Sequence, residues 1–128
     1  MKKLGLILIF VIYSLSFQQK FEILSVSSDE FESFIEEYGT GQLIDVRTPP
    51  EYAEGHIPGA KLVNIYDIDF KTKILALPLD KSFPVLVYCR SGHRSMVAAR
   101  FLAEKGFRVV NLKNGIREWI AKGKPIEK

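Results

Sequence analysis

The sequence holds one cysteine in 128 residues. No disulfide can close within the chain, and no zinc site built on several thiolates can form. The chain also lacks internal repeats, low-complexity segments and a recognisable linker. A chain of this length makes one domain rather than two, and it buries about two-thirds of the surface that its unfolded form exposes. With 47% hydrophobic and 26% charged residues, general disorder is excluded. No basic stripe or basic helix is present, so nucleic acid is not an expected partner. The lone Cys89 is therefore either a small buried hydrophobe or the seat of the chemistry.

Lys2 and Lys3 precede Leu4–Phe17, an uncharged stretch of 14 residues dominated by Leu, Ile, Phe and Val. It is short for a membrane span of about 20 residues and has the n-region and h-region pattern of a secretory signal. Ser14 and Ser16 permit cleavage after Ser16, with a cut nearer Gln18 or Gln19 as the alternative. No cysteine follows the apolar stretch, so a lipoprotein anchor is not expected. The expectation is a signal peptide over residues 1–16 and a single domain over residues 20–128, exported to a bacterial periplasm or cell envelope. A native first strand or an uncleaved anchor are the other readings, and only the anchor would bring contact with a membrane. Loss of Lys2 and Lys3 lowers the net charge from +3 to +1, with 16 basic against 15 acidic residues. The pI near 9.0 therefore overstates any general affinity for polyanions.

The remainder alternates strand and helix. Phe21–Val26 reads as a strand, and Ser27 with Glu30 as a capping box for a helix carrying Phe31, Phe34, Ile35 and Tyr38, stopped by Gly39 and Gly41. Gln42–Val46 is a compact apolar strand, Pro50–Glu54 one helical turn, and Lys61–Ile65 a third strand. Ile68, Phe70, Ile74, Leu75 and Leu77 suggest a short helix. Val85–Tyr88 is the most hydrophobic strand and suits the centre of a parallel sheet covered on both faces. A helix over Ser95–Lys105, a strand over Phe107–Leu112, a turn at Lys113–Gly115 and a helix over Ile116–Lys122 complete the chain. The pattern predicts an α/β fold with a mainly parallel five-stranded sheet and helices on both faces.

The chemistry-bearing residues gather in Cys89-Arg90-Ser91-Gly92-His93-Arg94-Ser95. This loop leaves the carboxyl end of the central strand, where ligands of open α/β sheets bind, and opens a helix whose free amides and dipole favour an anion. Gly92 lets successive amides converge into a nest, and Arg90 and Arg94 add positive charge. Together these favour a thiolate, with the thiol pKa below its usual value of about 8.5. A sulfur sealed away from solvent would count against that reading. His93, four residues along a tight loop, is expected to face solvent or the cleft mouth rather than act as a base. His56 is equally a structural or a site residue. Asp45, Arg47 and Glu51 read as a local ion-pair network, although Arg47 at a strand's carboxyl end could also face the pocket. Trp119 reads as packing.

Leu43-Ile44-Asp45-Val46-Arg47, Glu51-Tyr52, Gly55-His56-Ile57-Pro58-Gly59-Ala60, Val87–Ser95 and the late Gly115–Trp119 segment, in this order, resemble a single-domain rhodanese over about residues 24–122. The resemblance implies a three-layer rhodanese-like fold and a sulfurtransferase. Cys89 would accept sulfur from a small anionic donor such as thiosulfate and form a persulfide. It would pass the sulfur to cyanide or a thiol, or to a protein acceptor, with no metal or organic cofactor. Arg90, Ser91, Gly92, His93, Arg94 and Ser95 would bind the donor, with Arg47 contributing from the rim.

Two other classes remain open. A cysteine phosphatase or arsenate reductase of the same fold places its anion-binding Arg six positions after the Cys, whereas Arg94 falls at five and no acidic residue stands between Cys89 and Ser95. The shorter loop suits a single sulfur atom better than a tetrahedral phosphoryl group. A non-enzymatic persulfide carrier needs the same cysteine, and a redox thiol would need an outside partner to resolve it.

Overall fold

Five strands and five helices alternate through residues 22–128, the part of the chain that a computed structural model describes. The expected signal segment over residues 1–16 lies outside the described residues, as does Phe21. The order is β1 (Ile23–Val26), α1 (Ser28–Tyr38), β2 (Leu43–Asp45), α2 (Pro49–Glu54), β3 (Lys61–Leu62), α3 (Phe70–Leu75), β4 (Val85–Tyr88), α4 (His93–Glu104), β5 (Val109–Leu112) and α5 (Gly115–Ala121). Among the described residues no helix is long and apolar enough to cross a membrane.

Every strand pairing is parallel, and the sheet order is β1-β5-β4-β2-β3. The apolar run Val85–Tyr88 is the middle strand, each residue almost wholly buried, as its composition predicts. Side chains of a strand alternate between the two faces, and this divides the core in two. Val85, Val87 and Cys89 join Ala98, Leu102, Phe70 and Ile74 on the face covered by α3 and α4. Leu86 and Tyr88 join Phe31, Ile116 and Trp119 on the face covered by α1 and α5. The α/β architecture with helices on both faces is the one the alternating pattern implies.

Boundaries differ from the sequence reading where side-chain chemistry competes with periodicity. Ser27 Oγ accepts the Glu30 N–H at 3.2 Å, but the Glu30 carboxylate takes the Ser27 hydroxyl instead of closing the box on its backbone. Strand β3 is two residues long, although Val63 and Ile65 beyond it still donate to the Asp45 and Val46 carbonyls. Helix α4 begins at His93, two residues before the expected Ser95.

The topology creates a crevice. From β2 the chain moves outward to β3, and from β4 it moves the opposite way to β5. The strands β2 and β4 are neighbours, so their carboxyl ends flank the switch point at which open α/β sheets bind ligands. Both α2 and the Cys89 loop arise there.

The two cores carry the stability. Leu86→Ala should cost about 2–5 kcal/mol in urea denaturation, because a fully buried side chain in the middle strand leaves a cavity. Leu24→Ala, at a half-exposed position of the edge strand β1, should change stability by about 0.5 kcal/mol or less.

Candidate active site

Only four residues, Cys89 to Gly92, separate the end of β4 from α4. Gly92 occupies the helix N-cap at φ 99°, a left-handed conformation that other residues rarely adopt. It is also tightly enclosed: a Cβ there would lie 2.0 Å from the Lys113 carbonyl oxygen. This backbone turn brings the Gly92 N–H to 3.1 Å from Cys89 Sγ, and the Ser95 hydroxyl donates to the same sulfur at 3.3 Å.

The loop carbonyls are held the other way. The first-turn amides of α5 donate to them, Ile116 N–H to the Cys89 carbonyl at 2.9 Å and Arg117 N–H to the Arg90 carbonyl at 3.1 Å. With its carbonyl oxygens engaged by α5, the loop is left to present its amides to the sulfur. Gly115 permits this contact, since a Cβ there would stand 2.1 Å from the Arg90 oxygen. Sequence reading treats Lys113–Gly115 only as a turn and misses that it braces the loop; two glycines in facing turns were the available signal.

Burial alone would raise the Cys89 pKa, but hydrogen bonds from the Ser95 hydroxyl and the Ser95, Ser91 and Gly92 amides outweigh it and hold the thiol below its ordinary value. One observation counts against a reactive thiol. Cys89 has no accessible surface, so the sulfur is not open to solvent in this conformation. Arg90, Ser91 and His93 of the adjoining loop are exposed. Cys89 belongs to the apolar cluster under α3 and α4, and the donors from Gly92 and Ser95 are what set its sulfur apart from an inert core thiol.

Arg94 is placed differently from the sequence expectation. Its guanidinium makes a two-pronged pair with the Glu51 carboxylate, both contacts at 2.8 Å, across 43 positions of sequence. Glu51 was expected to join Asp45 and Arg47, but Pro49 and Pro50 start α2 so that Glu51 falls in its first turn. There one carboxylate oxygen also accepts the Thr48 N–H at 3.2 Å and the Thr48 hydroxyl at 3.0 Å. Chiefly because of Arg94, the Glu51 pKa is lowered to about 2. Arg94 also lies over the Tyr66 ring, 5.6 Å from its centre. The Thr48–Glu51 spacing carries the sequence signal of a cap, but nothing local announces a partner two α/β units further on.

Arg47 does form the expected pair with Asp45, at 2.7 Å, and donates to the Gly55 carbonyl at 2.7 Å. It is buried, and this bonding leaves it a structural strut in the pocket wall. His56 is a clamp: its ring stacks on Tyr52 with centres 3.7 Å apart and contacts the Tyr52 carbonyl and Glu127, while its backbone pairs with Glu127. Trp119 packs edge-on against Phe31 and donates to the Pro125 carbonyl at 2.7 Å. His93 is exposed at the first turn of α4. Among the described residues no group of three or more His, Cys, Asp and Glu side chains is gathered to hold a metal ion.

A cavity of about 320 Å³ opens beside the loop, between α2 and α5, with Arg90 and Arg47 in its wall. An amide-lined cysteine at the switch point, next to a cavity whose wall carries both arginines and glutamates, fits one family closely. The model of the rhodanese-like domain matches residues 27–122. The chain belongs to the rhodanese-like family. It is 41% identical to a sulfurtransferase of Allochromatium vinosum over 85 residues, covering 66% of this chain and 76% of that one. It is 42% identical over 79 residues to the thiosulfate sulfurtransferase GlpE of Pseudomonas fluorescens, covering 60% of this chain and 68% of the relative. Among solved structures, a rhodanese-like domain protein from Staphylococcus aureus superposes with a TM-score of 0.67 at 28% identity, covering 82% of this chain and 99% of that one. The rhodanese-like fold expected from the sequence is therefore the fold observed.

Two outcomes follow from this geometry. Ser95→Ala removes a donor to the thiolate, so the Cys89 titration, followed by the pH dependence of alkylation, should move up. The Glu51 carboxylate is more acidic when folded, so its stabilising effect is present above about pH 4.5 and is lost as pH falls towards about 2. Glu51→Gln should then lower stability at pH 7 by on the order of 1 kcal/mol after solvent screening, with the difference closing across that acid window in thermal melts.

Proposed function

We propose that this rhodanese-like protein is a sulfurtransferase that carries sulfane sulfur on Cys89, taking it from a small anionic donor of the thiosulfate type. The observation that carries the reading is the convergence of the Gly92 N–H and the Ser95 hydroxyl on Cys89 Sγ. Hydrogen-bond donors of this kind stabilise a sulfur anion far better than a neutral thiol.

In the first step the thiolate attacks the outer sulfur of thiosulfate. A bond forms between Sγ and that sulfur, the sulfur–sulfur bond of the donor breaks, and sulfite leaves with the electron pair. In the second step a thiophilic acceptor, cyanide or a thiol, removes the outer sulfur and Sγ leaves again as a thiolate. Dividing the transfer in two gives ping-pong kinetics. The outer sulfur of the persulfide stands about 2 Å beyond Sγ, and Cys89 is fully buried, so entry of the donor requires the groups around the sulfur to shift. The same amides then meet the terminal sulfur as preorganised donors. Arg90 supplies exposed positive charge at the mouth, and Arg94 contributes its charge once the donor competes with Glu51 for it. The tight four-residue connection favours a sulfur atom over a phosphoryl group. Export, with the apolar amino-terminal segment as signal, remains part of the proposal and rests on that segment's sequence.

Intact mass after thiosulfate treatment tests the chemistry. The wild-type chain should gain one sulfur atom and Cys89→Ser none, with sulfite released in equal amount; a wild-type protein that gains no mass would overturn the assignment. Catalytic thiosulfate:cyanide turnover identifies an enzyme, whereas loading without turnover identifies a carrier.

A further inference from the structure

Three charges beside the active-site loop are left unspent by the protein. Arg90, Arg117 and Glu54 line the cavity between α2 and α5, and none of them enters an ion pair or side-chain hydrogen bond among the described residues. The other two charged residues of the wall are already engaged, Arg47 by Asp45 and Glu51 by Arg94. Ile116 and Ile120 supply apolar surface to the same wall. The cavity is tied to the nucleophile: Arg90 directly follows Cys89, and the Arg117 N–H donates to the Arg90 carbonyl at 3.1 Å.

These features match poorly with the donor. A thiosulfate ion has no carbon to place against Ile116 and Ile120, fills only a fraction of about 320 Å³, and is repelled by Glu54. An organic zwitterion uses every group. Its carboxylate pairs with Arg90 and Arg117, its ammonium group with Glu54, and its carbon chain covers the isoleucines.

We propose that this cavity is the acceptor subsite and that it takes an amino-acid or short-peptide thiol bearing a free carboxylate, with Arg117 as a specificity residue. The proposal rests on the persulfide reading of Cys89. The acceptor's thiolate attacks the outer sulfur of the Cys89 persulfide and forms a new sulfur–sulfur bond. The bond from that outer sulfur to Sγ breaks, and Sγ keeps the electron pair as a thiolate. The acceptor leaves as its persulfide, its thiol proton having passed to water, with no net oxidation or reduction.

The two half-reactions allow the test. The full chain is loaded with thiosulfate, freed of excess, and discharged with cysteine, neutral 2-mercaptoethanol or cationic cysteamine, each thiol being compared with itself across variants. Arg117 is exposed, so its replacement leaves the cores untouched. Arg117→Ala should raise the half-saturating cysteine concentration about tenfold, as loss of uniform binding predicts. Discharge by 2-mercaptoethanol and loading by thiosulfate should not change. Arg117→Lys should recover part of the loss, and Arg117→Glu should deepen it while improving discharge by cysteamine. Equal effects on charged and neutral thiols would overturn the subsite, as would loading that slows as much as discharge. Failure of the wild-type chain to load would overturn the persulfide reading itself, and the acceptor subsite with it.

Discussion

A sulfur surrounded by N–H and O–H donors is costly as a neutral thiol and well solvated as an anion. That preference is the constraint on which the rest of the site depends. It requires a left-handed Gly92, a helix that starts at His93, and a second turn, Lys113–Gly115, close enough to brace the loop from behind. Helix α5 uses its first amides on the Cys89 and Arg90 carbonyls, so one set of hydrogen bonds orients the donors of another. The desolvation of Cys89 would by itself oppose ionisation, and the direction of its shift shows which effect wins.

The switch point of the sheet then determines what can stand around the sulfur. The segment after β2 brings Arg47 and Glu51, and the segment after β4 brings Cys89 and Arg94. One arginine of each segment is neutralised, Arg47 within its own turn by Asp45 and Arg94 by a carboxylate from across the crevice. Of the arginines around the cavity, Arg90 and Arg117 are thereby left without a side-chain partner among the described residues.

Much of this was legible in the sequence because it is local. The unbroken apolar run Val85–Tyr88 marks a strand buried on both faces, and Cys89 follows it within a segment whose composition no core would tolerate. The Asp45–Arg47 pair spans two positions and so could be read as a local contact. What was not legible depends on distance in the chain. Glu51 and Arg94 are 43 positions apart, and periodicity carries no information about such a pair. The burial of Cys89 was missed for a related reason: the loop is polar in composition, yet a turn that comes after the next helix and strand packs tightly against it. His56 illustrates a third case, in which a residue suited to either role was assigned by the distant Glu127.

Helix α2, which supplies Glu51, is six residues long and contributes no buried side chain to either core. Such a segment can open locally, at the expense of its polar contacts, while the sheet and its covering layers persist. Opening it would leave Arg94 unpaired and swinging at the crevice mouth, with the apolar interior unchanged. Spectroscopic signals of global unfolding and the competence of the sulfur centre would then report on separate events, and a chain that looks fully native by circular dichroism could already have lost the order of its charged rim.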